Sequence, residues 1–289
     1  MKRRACRAGS FYEADASRCR GHAEQLLEAA ELPAELPEKL CGGLVPHAGW
    51  VFSGATAAIA LKALAQCDRL GRVVIFGADH FGVAGPGAVY ATGSWETPLG
   101  EVAVDEELAS AILAGCDLLR ANDRAHAQEH SIEVQLPLMQ VLVDDVRIVP
   151  ITVPPGAGAA QVGAAVGKVI KGQFPTASCV GSTDLTHYGP SYGFMPGGTG
   201  PAGLAWAKAN DQKLLKLIET MRAEDVVAET QAHRSACGGG AIAATMAACS
   251  AAGAASAICL GYTTSADVMQ ESFRHSSEDA VGYAAVVFA

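Results

Sequence analysis

Residues 176–189 read TASCVGSTDLTHYG. The first half is small and β-branched, the composition of a buried strand, and the second half is polar and breaks that pattern. The change falls at Ser182, so Asp184 and His187 are expected where a strand gives way to a loop. In an open α/β sheet, ligands bind outside the carboxyl ends of the strands. The junction therefore points to a kind of sheet and to the edge of it where a site would lie.

Similar junctions recur on either side. CGGLVP (41–46), RVVIFG (72–77), RIVPITV (147–153), AICLGYTT (257–264) and VGYAAVVF (281–288) read as strands. Helical patterns fall at 16–30, 54–66, 105–114, 157–171, 201–218, 223–230 and 238–249. Residues 88–104 read as extended segments joined by a turn, and ELPAELPEKL (31–40), with two prolines, as a surface connection. Residues 129–142 read as a helix that Pro137 breaks or kinks. Alternating strands and helices predict one α/β domain over residues 1–289. Its mostly parallel or mixed central sheet is covered by helices on both faces.

The totals narrow the function. Of 289 residues, 50% are hydrophobic and 18% charged, which is globular rather than disordered. A net charge of −9 disfavours nucleic acid and anionic membrane as partners. Lys2, Arg3, Arg4 and Arg7 are expected to form a solvated end. ACRAGSFYEAD follows this basic start where a secretory signal would need an apolar run, and no stretch has the continuity of a membrane span. Nine cysteines, an odd number with no CxxC, read as reduced thiols acting as small hydrophobes, so the expected location is cytoplasmic.

Three histidines follow strand ends: His47 in PHAGW, His80 in GADHF and His187 in STDLTHYG. Parallel strands bring such positions to one edge however far apart they lie in sequence. Asp79 and Asp184 each lie within three residues of an imidazole, where an acid can accept the second ring N–H and raise ligand basicity. His130, in QEHSIEVQLPL, reads as the start of a helix whose Glu129 and Glu133 share a face, only one of them turned to the site. His22 and His275 read as surface residues, and His126 and His233 as neighbours of site motifs with either a structural or a supporting role. Cys237, in RSACGGGAIAATMAAC, precedes a Gly-rich helix start that would favour a thiolate, although tight packing explains the glycines equally well.

Together AGSFYEAD, PHAGWVFSG, GADHF, EHSIEVQLPL, STDLTHYG, SACGG and SSEDAVGYAAVVF resemble the Memo family, in the family's order and from about residue 8 to 289. Prokaryotic members of that family are called AmmeMemoRadiSam system protein B. The resemblance implies a fold similar to class III, LigB-type extradiol dioxygenases. It also implies a metal site of His47, His80 and Cys237 holding one iron or copper ion, with Asp184, His187 and His130 nearby. LigB-type enzymes use two His and a carboxylate; a thiolate in the third position makes a softer site. The second motif also departs from the family, with Asp79 before His80 where a Pro followed by Ser or Asn is more usual. Asp79 would either add negative charge beside the metal or cap a turn.

The leading expectation is a metal-dependent redox or dioxygenase-like protein. His130 and His187 would act as acid/base groups on a small aromatic substrate, and Asp184 would orient His187 or bind a substrate donor. The alternative is a non-catalytic binding or scaffold protein recognising a peptide or partner protein in the same cleft, as eukaryotic relatives are described. Arg234 alone lies near the site motifs, which argues against a phosphate clamp. Metal-assisted hydrolysis is a third reading. The family name further implies AMMECR-type and radical-SAM proteins as pathway partners.

Overall fold

A computed structural model describes residues 1–289. In chain order its first half contains β1 (Lys2–Arg3), α1 (Ala16–Ala29), β2 (Gly42–Val45), α2 (Trp50–Gln66), β3 (Arg72–Gly77), β4 (Ala88–Val89), β5 (Ser94–Thr97), β6 (Gly100–Val104), α3 (Glu106–Gly115) and β7 (Arg120–Ala121). Then come α4 (Leu136–Leu142), β8 (Arg147–Thr152), α5 (Ala159–Gln173), β9 (Ser178–Ser182), β10 (His187–Tyr188) and α6 (Gly200–Glu219). The chain closes with α7 (Ala223–His233), α8 (Gly239–Ala252), β11 (Ala257–Thr264), α9 (Ser265–Phe273) and β12 (Ala280–Phe288).

All twelve strands join one mixed sheet. Its centre, β6-β8-β3-β9-β2, is parallel, while β12 joins antiparallel to β2 and carries β11 and β10. The strands β3, β8 and β9 are buried along nearly their whole length, as near-continuous apolar runs in parallel sheets are. Alternate residues serve two cores. Val73 and Ile75 face the core shared with α1, α2 and α4, and Val74 and Phe76 face the one shared with α3, α5 and α8. This is the predicted α/β architecture with helices on both faces.

The small-residue stretch 238–253 is explained by α5 and α8. A Cβ at Gly163 would collide with the Ala244 carbonyl, and one at Gly167 with the Ala248 carbonyl. The two helices thus touch backbone to backbone, which only small side chains permit. No helix is long and apolar enough to cross a membrane.

Two expectations need correction. Residues 129–142 do not form one helix: Glu129 and His130 lie in irregular chain, a turn follows at Ser131–Ile132, Glu133–Gln135 make a single 3₁₀ turn, and α4 starts at Leu136. Pro137 stands in the first turn of α4 and does not kink it, because its missing N–H is one that the first turn leaves unpaired anyway. The basic start is not a fully solvated end. Arg3 is buried, pairs with Glu133 at 2.7 Å, and stacks over Trp95 at 4.0 Å from the ring centre. The hidden carboxylate of Glu133 and the indole face give a guanidinium what it needs to leave water. One further helix, α9, is started by a Thr264–Asp267 capping box.

Candidate metal centre

Parallel pairing sets the frame. Val45 lies beside Ser182, and Phe76 beside Gly181, so β2, β3 and β9 finish on one edge. His47 follows β2 by two residues, His80 follows β3 by three, and the loop carrying Asp184 and His187 follows β9. The segment Glu129–Ser131 is drawn onto the same edge, because Ser131 Oγ accepts the Ala78 N–H at 3.1 Å and Ser131 O accepts from Ser182 Oγ at 2.6 Å.

These contacts bring three imidazoles together. The His47–His80, His47–His130 and His80–His130 ring centres are 5.2, 5.3 and 4.8 Å apart, the last pair stacked. One nitrogen of each of His47, His80 and His130 lies within 4.8 Å of the others. Bonds of ~2.1 Å to one ion place neighbouring ligand nitrogens ~3–3.5 Å apart, so modest ring tilts would close the cluster.

Hydrogen bonds fix two of the tautomers. The Ser182 hydroxyl donates to Ser131 O, so its oxygen is an acceptor for His47 Nδ1–H at 3.1 Å. That leaves the lone pair on His47 Nε2. His80 Nδ1 donates to both Glu129 oxygens at 3.0 and 3.1 Å, which frees its Nε2 in the same way. Glu129 also accepts the backbone N–H groups of His80, His130 and Ser131. An imidazole whose outer nitrogen donates to a carboxylate is the usual supported metal ligand. The third ring differs: His130 Nδ1 is buried without a hydrogen bond, its nearest carboxylate oxygen lying 3.5 Å away.

The electrostatics differ from ring to ring: His47 and His130 are held neutral, while His80 is the basic one, whose proton a metal ion would displace. Burial and the neighbouring imidazoles drive His47 well below its ordinary pKa and His130 down to about 4. Burial also opposes charge on His80, but the Cys237 sulfur and Glu129 outweigh it and push that ring up to about 10. Burial likewise works against the Glu129 carboxylate, yet the His80 ring and backbone N–H donors hold it well below the usual range. Three clustered imidazoles, one orphaned ring nitrogen and a supporting carboxylate suit a cation, which satisfies several lone pairs where one proton cannot.

The other predicted residues border this cluster. Cys237 Sγ lies 3.2 Å from His47 Nε2; as that nitrogen is the acceptor, the thiol donates. The sulfur is placed by backbone pairing: Cys237 N–H donates to Asp184 O at 3.2 Å, and Asp184 N–H points at Sγ from 3.4 Å. Gly238 permits this approach, since a Cβ there would stand 2.7 Å from Thr183 Oγ1. Asp184 is buried and accepts the His47 backbone N–H at 2.7 Å. It therefore holds the His47 loop and does not orient His187. Burial pushes its carboxyl up to about 7, against that N–H and the His80 charge. His187 Nδ1 donates instead to Leu185 O at 3.2 Å, leaving Nε2 as an acceptor, and burial lowers its pKa. Asp79 caps its own turn through the N–H groups of Val83 and Ala84.

A cavity of about 430 Å³ opens beside the imidazoles, walled by Phe11, Phe52, Tyr192, Met269 and Tyr283. Phe11 meets His130 edge-on at 5.0 Å. Other histidines stay outside: His126 is buried between Ala88 O and the Thr152 hydroxyl, His233 pairs with Glu229, and His22 rests against Trp50.

A profile of Memo-like proteins matches residues 3–287. The chain belongs to the Memo-like family. It is similar to a MEMO1 family protein of Pyrococcus furiosus, at 37% identity over 99% of each chain. It is also similar to one of Thermococcus onnurineus, at 36% over 97% of each chain, and to one of Methanopyrus kandleri, at 35% over 100% of this chain and 99% of that one. In this Memo-like chain the residues missing from the sequence reading are the supports Ser182 and Ser131 and the wall residue Phe11. Glu129 was noticed, but as a helix-face acid rather than as the partner of His80. The available signal was its place directly before His130 in QEHSIE.

Proposed function

We propose that this Memo-like protein is a metal-dependent redox protein that acts on a small aromatic substrate in the cavity beside the imidazoles. The observation that carries the reading is the convergence of His47, His80 and His130, two of them with Nε2 freed by defined hydrogen bonds. His47, His80 and Cys237 would hold one iron or copper ion, with His130 beside them as a fourth donor or as a partner for substrate. A redox-active ion in such a site supplies Lewis acidity toward a phenolic oxygen and an electron path to dioxygen.

The remaining work belongs to the chain. His187 lines the cavity as a neutral ring with its acceptor nitrogen free, and would take a phenolic proton. Phe11, Phe52 and Tyr283 would pack an aromatic ring and exclude water. Asp184 would keep the His47 loop in place through its backbone N–H. The reading treats the sheet as a LigB-like frame and the chemistry as extradiol-like oxygenation, and nine free thiols fit a reducing, cytoplasmic setting. Partners of the AMMECR and radical-SAM types belong to the same proposal.

The test is anaerobic purification with elemental analysis of the wild type and of His47→Ala, His130→Ala and Cys237→Ala, followed by oxygen uptake with a panel of catechols. Stoichiometric iron or copper lost in His47→Ala and Cys237→Ala supports the thiolate-containing set. Loss in His130→Ala but not in Cys237→Ala moves the third ligand to His130. A protein that takes up no metal on reconstitution refutes the reading and favours a binding role for the cleft.

A further inference from the structure

The cavity beside the imidazoles has a second lobe. Another space of about 430 Å³ lies across His80, His187 and Tyr192, and is bounded by Gln231, Arg234 and Cys237. The two lobes share those first three side chains, so a ligand reaching past His187 would touch both. Their linings are unequal. The first is largely aromatic, with Asp184 and Asp279 at its edge; the second holds Arg234, the one Arg or Lys among the residues lining either lobe.

Arg234 is exposed at the edge of this lobe. It ends α7 in the left-handed region, at φ 50° and ψ 38°, a conformation that normally falls to Gly or Asn at a helix end. For a residue with a Cβ that backbone costs ~1 kcal/mol. The guanidinium carbon sits 4.5 Å over the Phe194 ring. Nearby acids are otherwise engaged: Glu229 with His233, Asp279 with the N–H and hydroxyl of Ser191, and Asp184 with the His47 N–H. The guanidinium makes no ion pair or hydrogen bond within the protein, so its planar set of donors is free. Exposed at the edge of the second lobe and without a partner in the protein, this guanidinium is available to an anionic group of a ligand in the cavity.

We infer that Arg234 anchors the carboxylate of the substrate, and that the site takes small carboxylic acids whose apolar body lies across His187 in the aromatic lobe. This rests on the reading of the histidine cavity as the substrate site. One guanidinium matches one monoanionic carboxylate in bidentate fashion, whereas a phosphate dianion calls for a cluster of cationic donors, which the acidic rim does not provide.

The test compares benzoate with benzamide, near-isosteres that differ in charge, by calorimetric titration of the metal-reconstituted wild type, Arg234→Gln, Arg234→Lys and His47→Ala. Thermal melts confirm that each variant folds. The expected result is tighter binding of benzoate than of benzamide by about 10–100-fold, the range of one charge-assisted bidentate contact. Arg234→Gln should erase that preference without weakening benzamide, and Arg234→Lys should keep part of it. Equal affinities in the wild type, or a preference unchanged in Arg234→Gln, overturn the assignment of Arg234 while leaving the cavity reading standing. A preference that survives Arg234→Gln and vanishes in His47→Ala sends the carboxylate to the metal and overturns it too. A preference kept in metal-free His47→Ala but lost in Arg234→Gln supports Arg234 and counts against the metal-dependent reading. No binding of either probe overturns both.

Discussion

Replacing Glu133 with Gln should unlatch the amino-terminal segment from the body of the protein. Glu133 is fully buried and gathers five donors: Arg3 Nη1 at 2.7 Å, the N–H groups of Cys6 and Arg7, the Tyr12 hydroxyl, and the Cys6 thiol. Burial opposes the charge, but the Arg3 guanidinium and the backbone N–H of Cys6 hold the carboxyl below its usual range. Gln keeps an acceptor for the neutral donors and removes the charge that faces Arg3. Breaking a buried ion pair from one side costs about 3–5 kcal/mol. Arg3 retains the carbonyls of His126 and Glu129 at 2.7 and 2.6 Å and the Trp95 face, which favours the lower end, about 3 kcal/mol. Unfolding entropy of about 2.1 cal/mol/K per residue gives about 0.6 kcal/mol/K for 289 residues, so Tm should fall by about 5 °C. A double-mutant cycle with Arg3→Met, read by calorimetry and denaturant titration, isolates the pair. The double variant should be less destabilised than the sum of the singles by about 1–3 kcal/mol. Singles that add to within about 0.5 kcal/mol, or a Glu133→Gln loss below about 1 kcal/mol, would refute the buried-latch account.

Further predictions concern the site, the pH response and the helix layer. Glu129→Gln should weaken metal affinity about 10–100-fold, because it removes the carboxylate that fixes His80; competition with a chromophoric chelator measures this, and an unchanged affinity would exclude that role. His126 is buried, with Nε2–H donating to Ala88 O and Nδ1 accepting from Thr152, and burial pushes its pKa down to about 4. As pH falls from the unfolded value of ~6.5, the unfolded chain binds this proton first, so the stability present above that pH declines until about pH 4. That contribution is about 3 kcal/mol, and His126→Gln should flatten the stability profile in this window; a slope equal to the wild type's would count against it. Gly163→Ala should destabilise by about 1–3 kcal/mol, since the new methyl meets the Ala244 carbonyl across the α5–α8 contact; a neutral denaturation curve would contradict backbone-to-backbone packing there.

The sheet was legible because its central strands are buried on both sides. RVVIFG and RIVPITV are apolar at nearly every position, and each stands within a residue of where it was placed. The errors fall where burial is bought with polar contacts. Arg3 looks like an exposed cation in any local window, and the carboxylate that pairs with it, Glu133, lies 130 residues away. QEHSIEVQLPL has helical spacing from its first residue, but Glu129 accepts the backbone N–H groups of His130 and Ser131 and two N–H groups of His80, which keep the chain out of a helix until Glu133. A side chain that competes for backbone donors can override periodicity, and that competition is invisible until the donors are located.

The same distinction governs the site. The positions of His47, His80 and His187 followed from one rule, that parallel strands end on one edge, and the structure brings all three to the cavity. Their partners did not follow from proximity in sequence. Asp79 and Asp184 each lie within three residues of an imidazole, yet both carboxylates accept backbone N–H groups at strand ends, the first from Val83 and Ala84 and the second from His47. Asp79 finds its own turn's N–H groups nearest, whereas Asp184 takes the N–H of His47 from 137 residues away, and each contact fixes a loop. The acid that can reach a ring nitrogen comes from a different segment, as Glu129 reaches His80 from 49 residues away. Acids that accept backbone N–H groups therefore set where the loops stand, and the polar groups that meet a ring set which nitrogen it presents. By that division Asp184→Asn should move the His47 loop with little effect on the His80 ring, and Glu129→Gln should do the reverse. The two effects are separable in the ring proton and nitrogen shifts of the two histidines.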